Sequence, residues 1–135
     1  MQRGLSLGLF GIFGRSQELR DFDKALRAAD LHPNLVPDAV KLTAVKLLKE
    51  QAQGREPEPQ NYRAAAELLA YCMIGAEGFA GANAPELAAE VERRVETALV
   101  SGTNLDAQLV LLALHAKVIQ PSVVEFFQLE SAEDG

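Results

Sequence analysis

Cys72 and His115 are the side chains in this sequence best suited to covalent or acid–base chemistry. A cysteine beside an imidazole can be held as the thiolate, which is the nucleophilic form. Both lie in apolar stretches: Cys72 in Ala-Tyr-Cys-Met-Ile, and His115 as the polar break in Leu109–Val118. In such surroundings a free cysteine behaves as a small apolar residue. The histidine is expected inside the protein, bonded to a carbonyl or to a carboxylate such as Glu67 or Glu77. Tyr71, Cys72 and His115, with Tyr62 and Met73, are the residues expected to line an inter-helix pocket, if one forms.

The remaining chemistry is sparse. His115 has no second ligand at helical spacing, and His32 precedes Pro33 in a connector, where it reads as a surface turn residue. There is no G-x-S-x-G, H-E-x-x-H or Walker loop. Gly8, Gly11 and Gly14 follow no strand and lack the lysine of a phosphate loop. Glu86, Glu90, Glu92 and Glu96 are interleaved with Arg93 and Arg94, as on a solvated helix face rather than a converging cation site. The expectation is a protein with no catalytic residue, no cofactor and no metal.

Charge narrows the partners. The 135 residues carry a net charge of −6, which speaks against nucleic acid as the ligand. The charge is uneven: residues 1–55 sum to +3 and residues 56–135 to −9. A single cysteine excludes an intrachain disulfide and fits a reducing compartment. Arg3 precedes an apolar stretch, but no A-x-A-like cleavage site follows, and Arg15, Glu18, Arg20 and Asp21 come at once. The expected location is the cytoplasm.

The elements that would position these residues are helices. Ser16 caps an amphipathic segment to about Asp30, with Leu19, Phe22, Ala25, Leu26 and Ala29 on one face and Arg20, Lys24 and Arg27 roughly opposite. A second helix runs from Pro37 to about Gln53, its stripe of Val40, Ala44, Leu47 and Leu48 widened by Leu42 and Val45. After the loop GREPEPQN, a third helix capped by Asn61 runs to about Ala80 and is apolar nearly all round, the mark of a central helix. Gly75, Gly78 and Gly81 weaken its end. A fourth helix is capped by Asn83, with Pro85 in its first turn, an inward stripe from Leu87 to Leu99 and a Glu90–Arg94 pair. A fifth, capped by Thr103 or Asn104, runs to about Gln120 as the second central helix, and Val123–Phe127 form a short last one.

The sequence therefore predicts an all-α, single-domain bundle of five to six helices over residues 16–130, with two central apolar helices. It is preceded by a flexible, apolar, Gly-rich arm over 1–15 and followed by a disordered acidic tail over 131–135. The functional expectation is a non-enzymatic interaction module that binds a protein partner or a second copy of itself, as a homo-oligomer. Leu9, Phe10, Ile12 and Phe13 of the arm would make the contact, with Arg20, Lys24 and Arg27 beside them; Phe126-Phe127 adds further apolar surface. The same arm and basic stripe fit a second reading, attachment to a membrane surface. A third is a small-molecule-binding protein or small enzyme with a pocket between helices.

Overall fold

The structure is a computed structural model that describes residues 16–129; the expected arm and acidic tail lie outside the described residues. Helix α1 (Gln17–Ala28) starts where Ser16 Oγ accepts the Leu19 N–H at 3.2 Å. It buries Leu19, Phe22 and Leu26 and leaves Arg20, Lys24 and Arg27 exposed. Asp30, left-handed at φ 66°, ends it, and the Leu31 N–H returns to the Leu26 carbonyl. His32 is exposed and accepts the Asn34 N–H on Nδ1, capping the 3-10 turn Pro33–Leu35.

Helix α2 (Asp38–Gln51) follows Pro37. Its inner face is Val40, Lys41, Ala44, Val45 and Leu48. The broad stripe expected from sequence is thus shifted: Leu42 points outward at 57% exposure, and Lys41 points inward at 1%. Helical spacing puts Lys41 in line with Ala44, Val45 and Leu48. Its ammonium reaches Asp23 of α1 at 3.2 Å and Asp38 at 3.8 Å, so the buried charge is compensated.

Helix α3 (Pro59–Ile74) begins two residues before the expected cap. Asn61 is inside its first turn, and its side chain reaches back to accept the Glu58 N–H at 2.9 Å. Eight of its residues are buried, Tyr62, Tyr71 and Cys72 among them. A short helix α4 (Ala76–Ala82) continues beyond Gly75. Helix α5 (Pro85–Ser101) buries Ala88, Val91, Val95 and Ala98, while Leu99 faces solvent. Asn83 does not cap it. The Asn83 side chain donates instead to the carbonyls of Ala29 and Phe79, tying the ends of α1 and α4 together. Helix α6 (Leu105–His115) is capped by Asn104 Oδ1, which accepts the Ala107 N–H at 2.8 Å. It stops short of Gln120 because Lys117 is left-handed, at φ 62°, and the Val118 N–H closes onto the Ala113 carbonyl. Helix α7 (Pro121–Phe127) follows.

The described residues thus form seven packed α-helices and no strand. The count exceeds the five or six expected because Gly75 divides the third helix in two. Helix α3 packs against α1, α2, α4, α5 and α6, and α6 against α2, α3 and α5. Arg94 of α5 locks this centre: it makes a bidentate pair with Asp106 of α6 at 2.8 and 3.0 Å, and it donates to the Ala64 carbonyl of α3 at 3.0 Å. This replaces the Glu90 partner expected from local spacing. Among the described residues no single helix is long and apolar enough to cross a membrane.

Candidate functional site

The break at Gly75 shapes a surface cleft. Its φ of 95° and ψ of 164° lie in a region essentially reserved for glycine. The Gly75 N–H still donates to the Tyr71 carbonyl at 2.8 Å, and the Gly75 carbonyl accepts the Phe79 N–H at 2.9 Å, so two helices meet at one residue. The start of α7 is pinned beside this joint, because the Gln120 N–H donates to the Cys72 carbonyl at 2.7 Å. A Cβ on Gly75 would stand 3.3 Å from Ser122 Oγ, so the close approach of α7 depends on a bare backbone there.

Between the joint, α5 and α7 lies a cleft of about 470 Å³. Tyr71, Ile74, Val123 and Phe126 supply apolar wall, and Glu77 and Glu92 supply carboxylates; among the described residues no lysine or arginine lines it. The aromatic rings form one group: Tyr71 meets Phe79 edge-on at 5.9 Å and Phe127 at 6.4 Å, and Phe127 meets Phe126 perpendicularly at 4.9 Å. Phe126 is 62% exposed. Burial, aided by the Glu92 charge, pushes the Tyr71 phenol up to about 12.

Of the pocket residues read from sequence, only Tyr71 lines this cleft. Cys72 is fully buried beside it, and burial pushes its thiol up to about 12, well away from the thiolate. His115 is exposed in the last turn of α6 rather than inside the core. It makes no hydrogen bond with Cys72, Glu67 or Glu77, and no nucleophile–base pair forms. The reason is where α6 stops: its inward positions are Ala107, Leu109, Val110, Ala113 and Leu114, and His115 falls on the other side. Among the described residues no three metal-binding side chains converge.

The basic residues of α1 are exposed along one helix face, at i, i+4 and i+7. Arg20 bonds Gln17 at 3.2 Å, and Arg27 borders a shallow depression with His32 and Leu35. Lys24 enters a second cleft of about 310 Å³, with Asp21, Pro57, Pro59, Tyr62 and Arg63. There the Tyr62 hydroxyl is buried with no hydrogen-bond partner, and burial together with Glu18, Asp21 and Glu56 raises its phenol to about 12. The arm residues Leu9, Phe10, Ile12 and Phe13 lie outside the described residues.

Sequence reasoning singled out Tyr71 and Phe126, but it named Glu77 only as a partner for His115 and Glu92 only as part of a solvated helix face, and it passed over Ser122. The available signal was the glycine spacing after Ile74, which marks a possible joint but not what packs on it. The chain matches no known protein family, no curated protein and no solved structure, so its own residues carry the functional reading.

Proposed function

We propose that the protein is a non-enzymatic helical interaction module that receives an apolar side chain of a partner protein, flanked by a lysine or arginine, in the Tyr71–Phe126 cleft. One observation carries this reading. A largely exposed phenylalanine borders a cleft that holds two carboxylates and, among the described residues, no cation. Exposed apolar surface rimmed by polar groups is the usual form of a partner contact, and aromatic residues in pockets dominate interface energetics. Glu77 and Glu92 set the sign of the partner: opposite charge speeds encounter and rejects acidic competitors. The cleft belongs to the half of the chain that carries −9.

The test uses short helical peptides that present leucine and phenylalanine beside lysine or arginine, with matched peptides carrying glutamate in place of the basic residues. Fluorescence anisotropy on the intact protein reads affinity. Basic peptides are expected to bind, to weaken with salt, and to lose about tenfold or more with Phe126→Ala or Glu92→Gln. Equal binding of basic and acidic peptides, or binding indifferent to Phe126, overturns the reading. Light scattering on the same samples identifies the case in which the partner is a second copy of the chain.

A further inference from the structure

A separate groove lies at the other end of the chain, sharing no residue with the Tyr71–Phe126 cleft. It runs between the start of α1 and the outer side of α2, with a volume of about 470 Å³, and is lined by Ser16, Glu18, Leu42, Val45, Lys46 and Lys49. Its apolar floor is Leu42 and Val45, and Leu42 is the side chain that the helical stripe leaves outside the core. Lys49 and Glu18 pair across the two helices at 3.8 Å. Ser16 sits on the rim, held there by its capping bond to the Leu19 N–H.

Where the described chain begins decides what this groove faces. Fifteen residues precede Ser16, and the nearest of their large apolar side chains is Phe13, followed by Ile12, Phe10 and Leu9. Three residue steps separate Phe13 from Ser16, so even a fully extended chain carries it no farther than roughly 10 Å from the rim. The apolar residues that line the groove at this rim are Leu42 and Val45. A tethered segment meets such a surface at an effective concentration of millimolar order, well above that of a second copy in dilute solution. Gly14 allows the chain to reverse at the rim. The groove carries both signs of charge, Glu18 and Glu50 with Lys46 and Lys49, so its apolar floor rather than its charge selects the occupant.

We infer that the occupant of this groove is the protein's own N-terminal segment, Leu9–Phe13, with Phe13 seated on Leu42 and Val45. The segment then covers the one large apolar side chain that α2 turns outward, and it joins α1 to α2 over the Lys49–Glu18 pair.

Disulfide trapping in the full chain tests this. Ile12→Cys, which keeps Phe13, is combined in turn with Lys46→Cys, Glu50→Cys and, as a control close to Ser16 but outside the groove, Arg20→Cys. Cys72 is fully buried and adds no background. Under mild oxidation the Lys46 or Glu50 pairing is expected to close within the monomer at least about ten times faster than the equally near control, because disulfides form only at short Cα separations. Two acceptor positions guard against one unfavourable geometry. Disulfide-linked dimers from the same pairings overturn the inference in favour of a second copy, and closure no faster than the control overturns it outright. Neither result bears on the peptide cleft, whose test reads other residues.

Discussion

The same substitution at two glycines six residues apart is expected to act with opposite signs. Gly75 holds φ 95° and ψ 164°, which a side chain occupies at a cost of about 1–3 kcal/mol. Its new Cβ would also press on Ser122 Oγ at 3.3 Å, on the element that closes the cleft. Gly81 lies in α4, and a Cβ there would meet nothing within 4 Å. Replacing a helical glycine with alanine in open space stabilises by about 0.5–1 kcal/mol. For a chain of this size 1 kcal/mol moves the melting temperature by roughly 3–5 °C. Gly75→Ala should therefore lower Tm by roughly 5–10 °C and Gly81→Ala raise it by roughly 2–4 °C, read by circular dichroism with urea titration as a check. Gly75→Ala should also weaken the basic peptide, since the joint positions Tyr71 and Ile74 against α7. A Gly75→Ala protein as stable as the parent, or two glycines that respond with one sign, would refute the account of the joint.

Three further outcomes follow from buried groups. Asp23→Ala should cost about 3 kcal/mol because it leaves the Lys41 ammonium buried with only the Asp38 carboxylate at 3.8 Å, whereas Lys41→Met should cost about 1 kcal/mol or less; the reverse order in denaturant titrations contradicts this. The two tyrosines, each raised to about 12, keep their protons in the folded state after the unfolded chain has lost them near pH 10. Stability is thus intact below pH 10 and falls as pH rises towards 12, so phenolate absorbance should grow in step with loss of helix; phenolate formed at pH 10 with helix intact would exclude it. Cys72 should react with a thiol reagent only as fast as the protein unfolds, and rapid labelling of the native chain would show that its thiol is accessible.

Local signals made much of the fold legible. Ser16, Asn104 and the prolines at positions 37 and 85 mark starts that the structure keeps at or within one residue, whereas the last helix begins at Pro121, two residues before the expected Val123. Each acts through its own backbone or the next turn, so neighbouring sequence suffices to read it. The helix ends were harder. Asp30, Gln53, Lys117 and Gln128 take left-handed conformations that no glycine announces. Asn83 and Asn61 carry the right side chain for a cap, yet one serves a neighbouring helix and the other acts from inside its own first turn.

The candidate site was legible only in its pieces. Tyr71 and Phe126 stand out as aromatic residues on apolar segments, but what makes them one cleft is the angle at Gly75. That angle is set by contacts 45 residues and more away, through the Gln120 N–H on the Cys72 carbonyl and Ser122 against the bare Gly75 backbone. Arg94 follows the same logic: its local partner Glu90 loses to a bidentate carboxylate on α6 and a carbonyl on α3, both reachable only after the bundle has assembled. A planar, two-point pair between packed helices holds one geometry, whereas a neighbour on the same exposed helix face gains only a few tenths of a kcal/mol. Arg94 and Asn83 thus escaped local reading because each joins helices, and the cleft forms where the joint at Gly75 leaves aromatic surface uncovered.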